Sequence, residues 1–269
     1  MKGIIGAIAG DVIGSAYEFN PTRDYDFELF TPHSTYTDDT VLTMANALWL
    51  LDDPQHTHER LVAIMQDLCV RYPGRGYGGR FAHWIGDHDP QPYNSYGNGS
   101  AMRVSPVGYY AQTLDEALSL SKISAEVTHN HPEGIKGAQA TAVAIFMARN
   151  GKTKPEIREY VEQNIGYDLN RTLEEIRPDY SFNELCQTTV PEAITCFLEG
   201  ENYEDVVRLA VSLAADADTL AAIAGPIASA VWEVPNEISQ PAIALLSDEF
   251  CTTLLRFNEL VAQRETNAL

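Results

Sequence analysis

Two short acidic segments, each heading an apolar run of helical periodicity, constrain the fold of this chain more than any other feature. Thr37-Asp38-Asp39-Thr40 precedes Val41, Leu42, Met44, Ala45, Leu48 and Trp49; far downstream, Asp216-Ala217-Asp218-Thr219 precedes Leu220, Ile223, Ala224, Ile227 and Val231. A lone Asp or Thr at such a place is ordinary capping, its oxygen accepting one of the unpaired N–H groups of the first turn. Taken singly, either segment reads as a capped helix. A cap uses one acceptor, however, so each segment keeps a spare carboxylate that repels its neighbour unless positive charge lies between them. If the two helix starts face each other, their carboxylates and hydroxyls form an all-oxygen site of the kind hard divalent cations take. Two metals about 3.5–4 Å apart would use that many ligands. The pair favours the metal over the cap.

The rest of the chain is expected to be helical. Small residues from Gly3 to Tyr17 read as a helix with Ala7, Gly10 and Gly14 at close-packing spacings, and periodicity fits 39–51, 59–71, 114–126, 134–149 and 154–165. Pro191 at a first-turn position and Gly200 just past an end bracket another helix. Val206, Leu209, Ala210 and Leu213 stripe the next one, and two more fill 236–262. No strict alternation or repeat competes with this pattern. The expectation is one all-α domain over 1–269, its first and penultimate regions meeting in the interior; monomer is the default.

Charge and cysteine usage narrow the partners. A formal net charge of −20 argues against docking on nucleic acid or an anionic membrane through the bulk field. A phosphate-bearing small ligand stays open, because backbone N–H groups and metals hold phosphate locally. Asp11 breaks the N-terminal apolar run too early for a signal sequence. The stretch from Leu220 to Val234 contains Pro226 and falls short of a membrane span. Cytoplasm is the default, with Cys69, Cys186, Cys196 and Cys251 as reduced, mostly buried thiols.

Two glycine-rich loops break the helical pattern, Pro73 to Arg80 and Pro92 to Ser100, the second followed by a helix start at Ala101-Met102-Arg103. Glycine lets backbone approach an anion, and a helix start offers free N–H groups, so both loops fit a diphosphate cradle; they also fit plain turns. Tyr77, Tyr93 and Tyr96 could stack on a base or sugar. Neither loop has the phosphate-loop pattern of nucleotide kinases. His129, His131 and Glu133 invite a zinc reading, but their spacing spans Pro132 and lacks one-face helical geometry, so contact with a ligand or with loop backbone ranks first. Glu18 ends the first helix on the segment leading to Asp38-Asp39.

Together these residues resemble the ADP-ribosylglycohydrolase family, which includes dinitrogenase-reductase-activating glycohydrolase and the ADP-ribosylhydrolases. The likeness covers nearly the whole length. It runs through Gly10-Asp11-x-x-Gly14 with Glu18, Thr37 to Thr40, Gly76-Tyr77-Gly78, and Ser95-Tyr96-Gly97-Asn98-Gly99 with Met102-Arg103. It continues through His129 with Gly137-Ala138, and ends at Asp216-x-Asp218-Thr219. The resemblance implies an all-α fold and two Mg2+ or Mn2+ ions, with Thr37, Asp38, Asp39, Asp216, Asp218 and Thr219 as ligands and Asp218 as the bridge. It also implies that Glu18 sits on a flap, that Gly76 to Gly78 and Ser95 to Gly99 hold diphosphate and ribose, and that His129 fixes the ligand. The chain departs from the family's pattern at Ala214-Ala215, where Gly-Gly is usual, and at Trp232-Glu233, where Tyr-Gly is common.

The implied reaction is hydrolysis of the bond between ADP-ribose and an acceptor, arginine first, with Glu18 or Asp38 assisting proton transfer. The partner would be an ADP-ribosylated protein or a small ADP-ribose conjugate. An O-acyl-ADP-ribose hydrolase and a non-catalytic ADP-ribose binder are the alternatives. An isoprenoid synthase would need an acid where Leu42 stands.

Overall fold

The computed structural model describes residues 1–267; the last two residues of the expected 1–269 domain lie outside it. Regular structure among the described residues is helical, with one isolated antiparallel bridge between Gly97 and Leu185. In chain order the helices are α1 (Ile5–Gly14), α2 (Asp38–Asp52), α3 (His58–Arg71), α4 (Gly79–Ile85), α5 (Gly99–Met102), α6 (Ser105–Tyr110), α7 (Leu114–Glu126) and α8 (Pro132–Arg149). There follow α9 (Lys154–Tyr160), α10 (Leu173–Ile176), α11 (Cys186–Glu199), α12 (Tyr203–Val211), α13 (Ala217–Val231), α14 (Asn236–Ala244) and α15 (Asp248–Asn267). None is long and apolar enough to cross a membrane. All four cysteines are free thiols, three of them buried.

Two helices buried on nearly every side form the centre. In α1 all ten residues are buried, and in α13 all but Val231. They touch backbone to backbone along Gly6, Gly10 and Gly14. A Cβ on Gly10 would lie 2.2 Å from the Ala221 carbonyl oxygen, and one on Gly14 2.4 Å from the Asp218 Cα. Gly6, with Gly225 across from it, completes the seam. Glycine is needed here because any side chain would push the helices apart by roughly the width of a methyl.

Several boundaries differ from the sequence reading for physical reasons. Gly79 already opens α4, and α5 begins at Gly99 rather than Ala101. The 154–165 segment widens into a π-helical turn over Val161–Ile165, closed by Gly166 at φ 89°. Pro191 lies inside α11, not in its first turn. That is tolerated because a proline this close to a helix start forfeits only a bond to the first turn. Glu18 lies beyond α1, which stops at Gly14, in the turn that opens the irregular 19–36 stretch.

Gly10→Ala should destabilise the protein by about 3 kcal/mol, since the added methyl meets backbone that cannot rotate away. Chemical denaturation would read this, and a loss below about 1 kcal/mol would mean the seam is looser than described.

Candidate active site

The site begins with a residue the sequence reading used only as part of a motif. Asp11 is fully buried in α1 and reaches the start of α2. Its carboxylate accepts the backbone N–H groups of Thr37 (3.0 Å) and Thr40 (3.1 Å), together with both threonine hydroxyls. A lone acid in an otherwise apolar helix was the available signal. Thr37 is the N-cap of α2 and accepts from the Asp39 N–H at 3.3 Å. Capping is thereby done by Asp11 and Thr37, leaving Asp38 and Asp39 unspent.

The second segment behaves the same way. Asp216 stands at the N-cap of α13 yet makes no side-chain cap. Its Oδ2 instead accepts from the Asn98 side-chain amide at 2.6 Å. The first segment meets the second where the Thr219 hydroxyl donates to Asp39 Oδ2 at 3.4 Å. Oxygens of Glu18, Asp216 and Asp218 all lie within 4.8 Å of one another. Asp39 Oδ1 and Asp218 Oδ1 are buried without any hydrogen-bond donor. Orphaned carboxylate oxygens are rare in folded proteins and ask for a partner of another kind. An all-oxygen set with unpaired anionic acceptors fits a hard divalent cation.

These acids form one end of a cavity of about 330 Å3. Asp38, Asp39, Asp216, Asp218, Thr219 and Glu18 line it, as do Gly76, Gly78, Ser95, Tyr96, Gly97, Asn98, Gly99 and His129. Two expected residues do not reach its wall. Thr37 sits behind, its hydroxyl donating to Asp11 at 2.8 Å, and Tyr77 turns away to donate to the Tyr72 carbonyl at 2.7 Å. Neither histidine forms a zinc cluster, because His131 caps α8 through Nδ1 while His129 lies against the Gly97–Gly99 loop.

The other end of the cavity is basic and aromatic, and sequence reasoning assigned little of it. Arg80 donates to the Tyr93 carbonyl at 2.6 Å with its guanidinium 4.9 Å from the Tyr93 ring centroid. Phe81 and the fully buried Arg103 join that wall. Glu184 lines the mouth, and its backbone carbonyl accepts the Asn98 N–H at 2.8 Å. Asn98 therefore ties the Glu184 ledge to the Asp216 carboxylate. Ala214, two residues before Asp216, holds φ at 59°, a left-handed geometry that costs a non-glycine residue about 1 kcal/mol.

Burial, and for most of them mutual repulsion, raises the pKa of these acids when no cation is present. Burial, reinforced by the charges of Asp218, Asp11 and Glu184, raises Glu18 to about 8. Burial lifts Asp216 to about 7 and Asp11 to about 6, in both cases against lowering hydrogen bonds. Asp38, Asp39 and Asp218 are pushed well above the carboxylate range by burial first and neighbouring carboxylates second.

The described residues form a helical scaffold that presses two acidic helix starts into one cavity with a cation-capable cluster, which places the chain in the class of all-α proteins with an acidic metal-type site. A sequence model of ADP-ribosylglycohydrolases matches residues 1–268. The chain is 26% identical over 266 residues to the ADP-ribosylarginine hydrolase Tri1 of Pseudomonas putida (strain GB-1), covering 86% of this chain and 70% of that one. It is 26% identical over 317 residues to the ADP-ribosylhydrolase ARH3 of Bos taurus, covering 88% and 86%. In fold it is similar to a solved chain described as an ADP-ribosylglycohydrolase-related protein complex, with a TM-score of 0.72, 23% identity and 96% of each chain covered. The chain belongs to the ADP-ribosylglycohydrolase family and is an enzyme of that family.

The raised carboxylates make a signed prediction. Between the ordinary values of 3.8–4.5 and about 8, the folded metal-free protein binds more protons than the unfolded chain. Its stability should therefore be greatest at the acidic end of that window and fall as pH rises through it. Excess Mg2+ should offset the fall, because a cation replaces the protons. Thermal melts in chelator and in Mg2+ across this range test it; curves of equal slope would show that no cation takes up the carboxylates' charge.

Proposed function

We propose that this protein, acting as one domain, hydrolyses the glycosidic bond between ADP-ribose and an arginine side chain with divalent cations bound at the acidic cluster. The observation that carries the reading is the pair of orphaned oxygens, Asp39 Oδ1 and Asp218 Oδ1, in a cavity whose other end is basic. Asp38, Asp39, Asp216, Asp218 and Thr219 would hold two Mg2+ or Mn2+, with Thr37 bracing the start of α2 from behind. When bound, such ions supply Lewis acidity towards ribose hydroxyls and an attacking water.

The chain's own residues do the rest. Arg80, Arg103 and His129 give the diphosphate a wall of donors and positive charge, while Tyr93 and Phe81 offer flat surfaces beside it. Gly76, Gly78 and the Ser95–Gly99 loop form the narrow floor between the two ends. Burial of the acidic end excludes bulk water and strengthens each electrostatic contact there. Water adds to the anomeric carbon, its proton passes to a carboxylate, and the guanidino nitrogen departs with a proton returned to it. Glu18 is suited to that shuttle because it lines the cavity with a carboxylate oxygen within 4.8 Å of those of Asp216 and Asp218; Asp38, half-buried at the same wall, is the second candidate.

Arginine is the favoured acceptor for two reasons. Glu184 and Glu18 put carboxylates at the mouth, where a guanidinium would leave, and the Pseudomonas putida relative is named for arginine-linked ADP-ribose. The substrate would be an ADP-ribosylated protein or a small conjugate, met in the cytoplasm.

Arginine-, serine- and acyl-linked ADP-ribose should be offered in parallel with Mg2+, with Mn2+ and after exhaustive chelation. Arginine-linked substrate should be cleaved fastest and chelation should abolish turnover; activity that survives chelation refutes the cation reading, and preference for the acyl ester identifies a conjugate hydrolase instead. Glu184→Gln should raise KM for the arginine-linked substrate about tenfold, the loss of one charge pair, while leaving kcat/KM on neutral linkages unchanged. Equal losses on every linkage would deny Glu184 a part in choosing the acceptor.

A further inference from the structure

Arg103 is a buried cation in the cavity wall whose contacts go beyond the positive charge it lends the diphosphate. It is fully buried, and that burial pulls its guanidinium down to about 10. Its Nη2 donates to the Ser124 carbonyl at 2.7 Å and to the Thr128 hydroxyl oxygen at 2.9 Å, while Nε and Nη1 find no acceptor. Burying a guanidinium on such terms is costly, so its place needs a reason.

The reason lies one bond further on. The Thr128 hydroxyl, itself fully buried, is 2.7 Å from Nδ1 of His129. A hydroxyl has one hydrogen to give, and this oxygen already accepts from Arg103. Among the described residues its hydrogen has a single acceptor in reach, His129 Nδ1. A neutral imidazole that accepts at Nδ1 carries its hydrogen on Nε2. We propose that Arg103, acting through the Thr128 hydroxyl, locks His129 in the Nε2–H tautomer, so that the cavity wall presents a fixed N–H donor to a phosphate oxygen of the ligand.

The surroundings agree. Burial, with Arg103 and Arg80 nearby, holds His129 well below its ordinary pKa and therefore neutral. Its Nε2 lies 3.1 Å from where a Gly99 Cβ would be and 3.6 Å from that of Gly97, so the ring rests on bare backbone at the cavity wall. Thr128 is held on its other side by the Tyr93 N–H, which donates to its carbonyl at 3.2 Å. Arg103 and Thr128 are thus positioning residues, and the donor they orient suits an anionic oxygen. The phosphate as ligand rests on the ADP-ribose reading above; the tautomer does not.

Two measurements test the relay. Long-range 15N–1H spectra of the full-length, labelled protein, with His129 assigned from a His129→Asn variant, should show hydrogen on Nε2 and none on Nδ1. A hydrogen on Nδ1, or an imidazolium, overturns the proposal. Calorimetric titration of ADP-ribose in Mg2+ should show Thr128→Val binding about tenfold more weakly, and Thr128→Ser within about twofold of the parent, after correction for folded fraction. A purely structural Thr128 would lower the melting temperature without moving affinity or tautomer, and equal weakening by Val and Ser also overturns the relay. If Thr128→Val does not fold, the parent's spectrum and Thr128→Ser still decide. A parent protein with the Nε2–H tautomer that does not bind ADP-ribose would refute the substrate and leave the relay supported.

Discussion

A single buried carboxylate, Asp11, organises the acidic half of the site. It draws Thr37 and Thr40 onto α1 with four hydrogen bonds and so fixes where α2 begins. Hydrogen bonds to a charged group contribute about 1.5–3 kcal/mol each, which the desolvation of the carboxylate largely offsets. What remains is direction. With the first turn of α2 satisfied from behind, the side chains of Asp38 and Asp39 are free of the usual capping duty, and both line the cavity.

The second organiser is Asn98, whose backbone and side chain serve different neighbours. The backbone N–H secures the Glu184 ledge and the amide steadies Asp216, so the mouth and the acidic end share one reference point. The cavity is polar in the electrical sense as well. Carboxylates crowd one end, while Arg80, Arg103 and the neutral His129 occupy the other. Such a field orients a ligand that carries an anionic group at one end and a cationic group at the other before any specific contact forms.

Much of this was legible in the chain because it depends on short-range rules. Asp38-Asp39 and Asp216-x-Asp218 announce themselves by placing more acid at a helix start than a cap can use. Helical periodicity gave α2, α3 and α7 nearly to the residue: α3 and α7 bury one face only, and α2, buried on most sides, is marked by its capping segment at Thr37. Pro191 misled because a proline near a helix start looks alike at the first and the sixth position. The roles of Asp11, Glu184 and Arg103 were not legible, because each is set by a partner far along the chain: Asp11 by Thr37 and Thr40, Glu184 by Asn98, Arg103 by Ser124 and Thr128. Tyr77 shows the reverse, a ring whose loop suggested ligand contact and whose hydroxyl is taken by Tyr72.

The glycine seam decides how this enzyme can wear out. Asp11 belongs to one of the two helices that touch there and Asp218 to the other, with Gly14 pressed against the Asp218 Cα. No layer of side chains lies between them to rearrange or yield. The backbone that carries these two carboxylates is consequently packed as closely as the core. Any breathing of the site belongs to its rim, in the irregular stretch that carries Glu18 and in the loop around Gly76.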